Sequence, residues 1–394
     1  MRICFITSCL EPGRDGVGDY ARLLAAECIR QGHECCLVSM NDSFLTQPSQ
    51  SIDTNEVKIY TLRLPASISW HQRSSHVEKF LYLFQPDWVS LQFVPYGFQD
   101  KGLVVGLSKW LRPLIQGRHL HIMFHELWIG QSVGTSLKEQ LVGAVQKHFV
   151  LRLIKQLKPN LIHTSNATYV ALLQQIGVIS DCLPIFSNIP VADNNGDNWI
   201  FPKLQKLGLN INLENRTQFW FFGFFGNLPP TWPAEPLFTY LHQAGIQHQR
   251  KIVVISIGLL RAGEILWESL SKKYSHNFTF LQLGEQLPNR VSEFLNSIDF
   301  GIATSPDIVI GKSGTVAAML EHGLPVIVNW YGAPLTTNWG TVSKIKLQDY
   351  EPLVYKIDKN FANKIKSLSR LPSRSRLTTT TAQLINDLGQ KLRA

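Results

Sequence analysis

The residue pattern with the clearest chemistry is a glycine-rich segment in the second half of the chain. Its members are consecutive: Gly311, Lys312, Ser313, Gly314 and Thr315. An apolar stretch typical of a short helix follows, and residues 323–325 (Gly-Leu-Pro) then lead into a buried strand. Glycines at a helix start let the backbone approach a ligand, and the first N–H groups of a helix have no partner within it. These groups, the helix dipole and Lys312 are together suited to hold a diphosphate.

Two interpretations of this segment are open from its own residues. One is a diphosphate site, and the other is an ordinary loop–helix–strand turn with a solvated lysine. The segment is not a Walker A loop, because the G-x-x-x-x-G-K-[ST] spacing is absent. The rest of the chain has to decide between the two.

A second glycine pair lies near the N-terminus. Residues 16–21 read Gly-Val-Gly-Asp-Tyr-Ala, which fits the G-x-G-x-x-A pattern of dinucleotide-binding folds, and Asp42 lies near the end of the second predicted strand. In those folds the first glycine follows its strand almost at once. Here residues 8–15 intervene, a loop too long for a tight pyrophosphate turn. We therefore favour another role for Gly16, Val17 and Gly18 over dinucleotide binding.

A histidine closes a strongly apolar predicted strand in the first half of the chain. His125 follows Ile-Met-Phe at 122–124 and precedes Glu126 and Trp128. At a strand end, its ring can donate a hydrogen bond to sugar hydroxyls or to charge that develops during a reaction. A purely structural histidine is the alternative.

Apolar runs alternate with amphipathic stretches along the whole chain, which predicts parallel sheets covered by helices. The predicted strands are 2–8, 34–39, 58–62, 87–94, 119–125, 160–165, 182–186, 218–226, 251–257, 277–283, 298–304 and 325–329. Helices are predicted at 17–31, 137–157 and 378–393. The pattern lapses near 187–217. We expect a first Rossmann-like domain at 1–190, a linker at 191–217, a second such domain at 218–376 and a final helix at 377–394.

Composition and length indicate an ordinary two-domain globular protein of the cell interior. The 394 residues are 44% hydrophobic and 17% charged, and one hydrophobic core rarely serves a chain of this length. The six cysteines form no C-x-x-C pair and lie mostly in apolar runs, which predicts reduced core thiols. No signal peptide or membrane-spanning stretch is recognisable. No metal set or D-x-D triplet is present either, and we expect no cofactor.

The net charge of +9 is concentrated in two places. Seven basic residues and one acid lie in residues 356–376, and a second basic group lies on the predicted helix 137–157 and just after it. We favour solvated faces. The alternative is peripheral contact with the anionic inner face of a membrane. Nucleic acid binding is not expected, because no recognisable module accompanies the charge.

Three motifs resemble those of GT-B glycosyltransferases, in the same order along the chain. Residues 311–326, ending in Gly-Leu-Pro-Val, resemble the donor-nucleotide loop and helix. Residues 16–21 resemble the glycine loop of family 4-like members, and residues 124–128 (Phe-His-Glu-Leu-Trp) resemble their strand-end histidine motif. The resemblance covers roughly residues 1–330. It implies two Rossmann-like domains with a cleft between them and a final helix that packs back onto the first domain.

The resemblance also implies an activity and a set of roles. A hexosyltransferase of this kind moves a sugar from a nucleoside diphosphate donor to a sugar-containing or lipid-linked acceptor, with retention of configuration. The glycine-rich segment would cradle the diphosphate, and His125 and Glu126 would serve the sugar beside the glycine loop. The nucleoside diphosphate that leaves is negatively charged and needs cations to stabilise it, and the candidates are Lys312 and Arg261.

The chain departs from the family pattern at two carboxylates. Alignment on residues 323–325 puts Ile310 and Ala318 where family 4 members carry glutamates. Glu321 is the candidate to reach the nucleotide ribose instead, and Asp307 the candidate to serve the sugar. Two alternatives to a transferase stay open: a nucleotide-sugar epimerase or hydrolase on the same fold, and a binding or partner subunit without catalytic activity.

Overall fold

Two compact units make up the chain in the computed structural model, which describes residues 1–53, 57–130, 136–192, 199–332, 336–337, 340–341 and 353–393. The N-terminal unit comprises Met1–Asn188, Ala333–Ser343 and Arg376–Ala394. The C-terminal unit comprises Ile189–Gly332 and Lys344–Ser375. Each has its own largely parallel sheet with helices between the strands, which confirms the predicted α/β class with two Rossmann-like domains.

An eight-stranded sheet forms the centre of the N-terminal unit. Its strands are β1 (Arg2–Thr7), β2 (Glu34–Asp42), β3 (Ser49–Asp53), β4 (Ile59–Pro65), β5 (Trp88–Phe93), β6 (His119–Phe124), β7 (Leu161–Thr164) and β8 (Asp181–Cys182). They lie in the order β3-β4-β2-β1-β5-β6-β7-β8, all parallel except β3, which pairs antiparallel with β4. The order reverses between β1 and β5, and ligands of open α/β sheets bind at the carboxyl ends of the strands at such a point.

The helices of this unit follow from local signals in the sequence. They are α1 (Gly16–Arg30), α2 (Trp70–Phe84), α3 (Pro95–Phe98), α4 (Leu107–Leu111), α5 (Leu137–Leu157) and α6 (Ala167–Gln174). Capping boxes begin α2, with Ser69 and Gln72, and α5, with Ser136 and Glu139. In each box the serine accepts from the backbone of the third helical residue, whose side chain accepts in return.

The C-terminal unit has a six-stranded parallel sheet. Its strands are β9 (Phe219–Phe225), β10 (Lys251–Ile257), β11 (Phe278–Gln282), β12 (Phe300–Ile302), β13 (Val326–Val328) and β16 (Val354–Lys356). Between β13 and β16 in the sequence, β14 (Thr336–Thr337) and β15 (Gly340–Thr341) form a two-stranded ribbon that is assigned to the N-terminal unit. The order β11-β10-β9-β12-β13-β16 is the 3-2-1-4-5-6 order of dinucleotide-binding folds. Gly223 is needed in the central strand β9, because a Cβ atom there would overlap Ile298 and Phe294.

The helices of the C-terminal unit are α7 (Phe201–Lys206), α8 (Ala234–His248), α9 (Glu264–Lys273), α10 (Pro288–Ser297), α11 (Gly314–Glu321) and α12 (Phe361–Lys364). The first of them falls within the predicted linker 191–217, of which residues 193–198 lie outside the described residues. Ile200, Phe201 and Leu204 bury their side chains in the core of this unit. Their spacing fits one face of a short helix, a signal that the polar turn residues before them obscured.

The basic stretch 356–376 is tied into the C-terminal unit rather than solvated throughout. Arg370 donates hydrogen bonds to the carbonyl oxygens of His322, Leu295 and Ile298 at 2.6–2.7 Å. Lys364 pairs with Asp358 at 2.8 Å. These cations hold backbone and carboxylate oxygens of their own unit, so the stretch is a weaker candidate for a membrane-facing patch than its sequence indicates.

The last helix, α13 (Leu377–Arg393), belongs to the N-terminal unit. Its Leu384 and Leu388 are fully buried, and it packs on α1. Gln31, which follows α1, donates to the carbonyl of Thr378 at 3.1 Å, and Gln383 donates to the carbonyl of Cys182 at 3.0 Å. The N-terminal unit is therefore assembled from both ends of the sequence.

Candidate functional site

The glycine-rich segment of the C-terminal unit forms the start of α11. A 3-10 helix, Asp307–Lys312, ends where Ser313 caps α11 by accepting from the N–H of Val316 at 3.4 Å. Within the described part of the chain, no group accepts from the N–H groups of Gly314 and Thr315. The first N–H groups of a helix carry partial positive charge, so this end of α11 is suited to bind an anion.

The loop after β9 lies against this helix end. Gly226 has a φ of 77°, and a Cβ atom on it would come within 3.2 Å of the Thr315 methyl group. Gly258, with a φ of 89°, would bring a Cβ atom within 3.1 Å of the Gly226 backbone. Two loops thus meet at the carboxyl edge of the sheet, and the sheet order reverses between β9 and β12. The open helix end lies at the switch point, where ligands of such sheets bind.

Arg261 is exposed at a turn packed on the same loop. Its φ of 54° is a left-handed conformation that is uncommon for a residue with a side chain. The turn cannot shift easily, because a Cβ atom on Gly263 would overlap the carbonyl oxygen of Leu228. Non-glycine residues held in this conformation cluster at functional sites. Arg261 and Lys312 stay the predicted phosphate-binding cations at the carboxyl edge of this sheet.

Asp307 has a structural environment that the sequence did not predict. Its Oδ2 pairs with Lys356 Nζ at 2.5 Å, and its Oδ1 accepts from the N–H of Gly332 at 2.8 Å. Its own N–H donates to the carbonyl of Trp330 at 3.0 Å. The carboxylate therefore holds the segment after β13 and the end of β16, and these contacts argue against the sugar-binding role suggested for it.

Glu321 ends α11 and is buried, with 2% of its surface exposed. Its carbonyl accepts from the N–H of Arg374 at 2.7 Å. Ile310 and Ala318, which replace the family carboxylates, are buried as well. Glu321 is therefore the one carboxylate among these three positions, and contact with a ribose would require its side chain to leave the interior.

The glycines of the N-terminal unit lie in the first turn of α1 rather than in a loop. Asp15 caps this helix, and its carboxylate accepts from the N–H groups of Val17 and Gly18 at 2.8 and 2.9 Å. Burial raises the pKa of Asp15. Gly18 is required by close packing, since a Cβ atom would overlap the carbonyl oxygen of Cys9, whereas a Cβ atom on Gly16 would meet nothing within 4 Å. A carboxylate thus occupies the donors that a phosphate would need.

Asp42 is also engaged in the structure. It is fully buried, its Oδ2 accepts from Arg63 Nε at 2.8 Å, and its Oδ1 accepts from the N–H of Phe44 at 3.1 Å. A dinucleotide ribose would find neither this carboxylate nor the helix end open. The structure agrees with the choice against dinucleotide binding.

His125 lies just after β6 with its ring buried. Its Nε2 lies 2.9 Å from Gln92 Oε1, and its ring packs edge-on against Tyr20 of α1 with centroids 4.9 Å apart. Burial lowers the pKa of His125 to about 3, so the imidazole is neutral at physiological pH. Because an amide oxygen can only accept, the contact with Gln92 Oε1 places the proton on Nε2, and no described residue bonds Nδ1. The ring can therefore accept a hydrogen bond at Nδ1, whereas the sequence suggested a donor.

The structure brings the predicted residues together in two places. Gly314 and Thr315 meet the Gly226 loop in the C-terminal unit, while Tyr20 links α1 to His125 in the N-terminal unit. Glu126 is half-buried beside His125, and its role stays a prediction. Sequence reasoning missed Gln92. The available signal was the alternation of Ser90 and Gln92 in an otherwise apolar strand, which places two polar side chains on one face.

Neither a family model nor a curated protein matches the chain, but solved structures match nearly all of it. Anabaena HepE in complex with UDP aligns with a TM-score of 0.59 and 15% identity over 99% of this chain and 100% of that one. Sucrose-phosphate synthase from Thermosynechococcus elongatus aligns with 0.60 and 12% identity over 100% and 99%. The catalytic domain of starch synthase IV from Arabidopsis thaliana, bound to ADP and acarbose, aligns with 0.55 and 13% identity over 93% and 91%.

These neighbours are GT-B glycosyltransferases. The chain has the GT-B fold. Membership of family 4 stays a prediction, because likeness at these identities establishes the fold alone. Among the residues that the structure describes, no helix is long and apolar enough to cross a membrane. In the same residues, no three His, Cys, Asp or Glu side chains are grouped so as to hold a metal ion.

Proposed function

We propose that this chain is a glycosyltransferase that takes its sugar from a nucleoside diphosphate donor and binds the diphosphate at the start of α11. The observation that carries the proposal is the pair of open N–H groups on Gly314 and Thr315 at the switch point of the sheet. Proteins of the same fold were solved with UDP, with UDP-glucose and with ADP. Because both uracil and adenine nucleotides occur among them, the base stays open.

Sugar transfer from a nucleoside diphosphate is favoured by hydrogen-bond donors that are oriented toward the phosphates before the reaction begins. Negative charge grows on the β-phosphate as the bond to the sugar breaks, and fixed N–H groups and cations stabilise it without rearranging. The N–H groups of Gly314 and Thr315 are fixed by the helix, and Gly226, which has no Cβ atom, lets its loop approach Thr315 closely. Lys312 and Arg261 supply positive charge at the same edge of the sheet.

His125 would assist by accepting a hydrogen bond rather than by transferring a proton. A ring with a pKa of about 3 is neutral across the working range of most enzymes, so it cannot serve as a general acid there. Its Nδ1 is suited to accept from a hydroxyl of a sugar ligand. A His125→Phe variant would therefore lose affinity and alignment of the sugar without changing the pH profile.

Further parts of the proposal concern the acceptor and the stereochemistry. We assign the chain a family 4-like hexosyltransferase activity that retains configuration, with a sugar-containing or lipid-linked acceptor of glycan biosynthesis. Their support is the motif resemblance in residues 16–21 and 124–128. Product analysis by NMR of the anomeric proton, with each candidate acceptor, tests them together.

Peripheral contact with an anionic membrane surface is also proposed, on the exposed face of α5. Leu137 and Leu141 are 78% and 70% exposed there, and Arg152 and Lys155 lie further along the helix. An apolar and basic helix face binds anionic lipid head groups. Co-sedimentation with vesicles tests it: binding to phosphatidylserine vesicles and not to phosphatidylcholine vesicles is expected, and a Leu141→Ser/Arg152→Ser variant should lose it.

Thermal unfolding with a panel of nucleotides tests the donor site. UDP, GDP, ADP, dTDP and their sugars are added to the wild type and to Lys312→Ala. A ligand at a hundred times its Kd adds about 2.7 kcal/mol of stability, which raises the melting temperature measurably. We expect one base to stabilise the wild type and to lose most of that effect in Lys312→Ala. Lys366→Ala, which removes an exposed lysine of the same unit, is the matched control and should bind normally.

The absence of both family carboxylates supports one second candidate, a subunit that binds nucleotide without turnover. Ile310 and Ala318 cannot contact a ribose or sugar through charge, and both are buried. A nucleotide that binds tightly while no acceptor yields product would favour this candidate. No stabilisation by any nucleotide would contradict both.

A further inference from the structure

A chain of buried polar side chains runs from His125 to the last helix of the N-terminal unit. From this geometry we infer that Asp387, on α13, fixes the tautomer of His125 through Gln92, Ser90, His121 and His163. Asp387 is then a positioning residue, because it acts only through other side chains. Its use in sugar binding rests on the proposed function, but the effect on His125 does not.

The first half of the chain joins β5 to β6. His125 Nε2 lies 2.9 Å from Gln92 Oε1, and Gln92 Nε2 donates to Ser90 Oγ at 2.8 Å. Ser90 Oγ in turn lies 2.8 Å from His121 Nδ1. All four residues are buried, with His125 the most exposed at 8%. Water therefore has little access to these groups, and each depends on its neighbour for a hydrogen bond.

The second half joins the sheet to α13. His121 Nε2 lies 3.1 Å from His163 Nδ1, and His163 Nε2 lies 3.3 Å from Asp387 Oδ2. The last contact is longer than a well-formed hydrogen bond, and among the described residues no hydrogen-bond partner competes with Asp387 for this buried Nε2. Of these six side chains, that of Asp387 is the most exposed, at 24%.

The Asp387 carboxylate determines which atom donates and which accepts in each hydrogen bond of this series. A neutral imidazole has one donor and one acceptor nitrogen, and an ionised carboxylate can only accept. Burial lowers the pKa of His121 and of His163 below the usual imidazole value, so both rings are neutral at pH 7 and above. His163 must then place its proton on Nε2, toward Asp387, and accept at Nδ1 from His121. His121 Nδ1 accepts from Ser90, and Ser90 accepts from the Gln92 amide.

The same sequence of donors and acceptors determines the tautomer of His125. With its amide nitrogen on Ser90, Gln92 presents its oxygen to His125, which must carry its proton on Nε2. Nδ1 is left as the acceptor. The reverse direction would set the lone pair of His163 Nε2 against the Asp387 carboxylate in a poorly hydrated site, which is electrostatically unfavourable. A residue on the last helix thus determines which nitrogen of His125 faces a ligand.

Nitrogen-15 NMR of the histidine rings tests the inference without substrate. In the wild type, His125 should show the Nε2–H tautomer alone between pH 7 and 8. Asp387→Ala should mix the two tautomers at His125, and Ser90→Ala, which interrupts the chain in β5, should do the same. The two changes together should add nothing to either alone, because each breaks the same connection. Asp181→Asn is the matched control: it removes a second carboxylate that acts on His163 only through space, and His125 should not change.

Two results would overturn the inference. One is an Nδ1–H tautomer at His125 in the wild type, and the other is an unchanged His125 spectrum in both Asp387→Ala and Ser90→Ala. If Asp387→Ala fails to fold, Ser90→Ala and the near-isosteric Asp387→Asn still decide the question. If the protein has no transferase activity but shows the expected histidine spectra, the proposed function is contradicted and this inference still holds.

Discussion

The two units begin glycine-bearing helices in the same way and use them differently. At α1, Asp15 places a carboxylate on the N–H groups of Val17 and Gly18. At α11, the neutral Ser313 caps the helix, and the N–H groups of Gly314 and Thr315 have no described acceptor. The same backbone dipole is thus neutralised internally in one unit and left for an anion in the other.

This contrast shows that a glycine pair does not by itself define an anion site. The residue before the first glycine of α1 decides against a phosphate, because its charge already occupies the donors. At α11 the corresponding residue is uncharged. The residue at the cap position is therefore more informative about ligand charge than the glycines that follow it.

The largest effect is expected when α11 is made to resemble α1. Ser313→Asp keeps a good capping residue but places a carboxylate where the diphosphate would bind. Nucleotide affinity should fall about 100-fold, or ~2.7 kcal/mol, because like charges repel strongly at such distances. Isothermal titration calorimetry measures the loss. Ser313→Asn, which caps without charge, is the control; an equal loss in both variants would mean that charge is not the cause.

A smaller effect is expected at the exposed cation of the same edge. Arg261→Gly removes the guanidinium and suits the φ of 54°, so folding should be unharmed. Loss of one charge-assisted contact to phosphate predicts about a tenfold weaker nucleotide affinity, or ~1.4 kcal/mol. Competition with a fluorescent nucleotide measures this. If the affinity is unchanged, Arg261 is a surface charge and the site depends on the helix end and Lys312.

At α1, the change should affect stability rather than binding. Asp15→Ala removes the cap of a 15-residue helix and should lower the free energy of unfolding by about 1 kcal/mol. Urea unfolding followed by circular dichroism gives the value. Nucleotide affinity should not change, and a large loss of affinity would instead place α1 in the donor site.

The smallest effect is a dependence on pH. The pKa of Asp15 is raised in the folded protein by burial, so the folded state holds this proton more tightly than the unfolded state. Ionisation of Asp15 therefore costs stability as pH rises from the unfolded pKa through the raised folded pKa, and the cost stays constant above it. Asp15→Asn caps without titrating, so its stability relative to the wild type should rise across that window.

The opposite trend is expected for a matched carboxylate in the C-terminal unit. Lys364 lowers the pKa of Asp358, so Asp358→Asn should lose stability relative to the wild type as pH rises. Unfolding curves between pH 3.5 and 7 measure both variants. Parallel trends in the two would contradict the assigned pKa directions.

Local features of the sequence predicted the elements well. The predicted strand 251–257 and helix 137–157 coincide with β10 and α5, because apolar periodicity and capping residues lie within each segment. The short edge strands β3 and β16 were not predicted, since neither carries a strong alternating pattern. The structure confirms the α/β class and the two-sheet layout, which the alternation of apolar and amphipathic stretches predicted.

The site was less predictable because its decisive contacts are distant in sequence. Asp307 pairs with Lys356, 49 residues away, and His125 with Gln92, 33 residues away. Lys356 is one of seven basic residues in its stretch, and the alternation of Ser90 and Gln92 does not indicate which residue either side chain contacts. The position of His125 at a strand end could be predicted, but its pairing and protonation depend on strands that only the folded sheet brings together.

The return of α13 to the N-terminal unit has a consequence for synthesis. The C-terminal unit is made of Ile189–Gly332 and Lys344–Ser375, so all of it precedes α13 in the sequence. The N-terminal unit, in contrast, needs Leu384 and Leu388 of α13 to complete its interior. Domains fold as units while the ribosome extends the chain. The N-terminal unit is therefore translated first but completes its folding last. The apolar surface that Leu384 and Leu388 cover stays exposed until α13 has been synthesised.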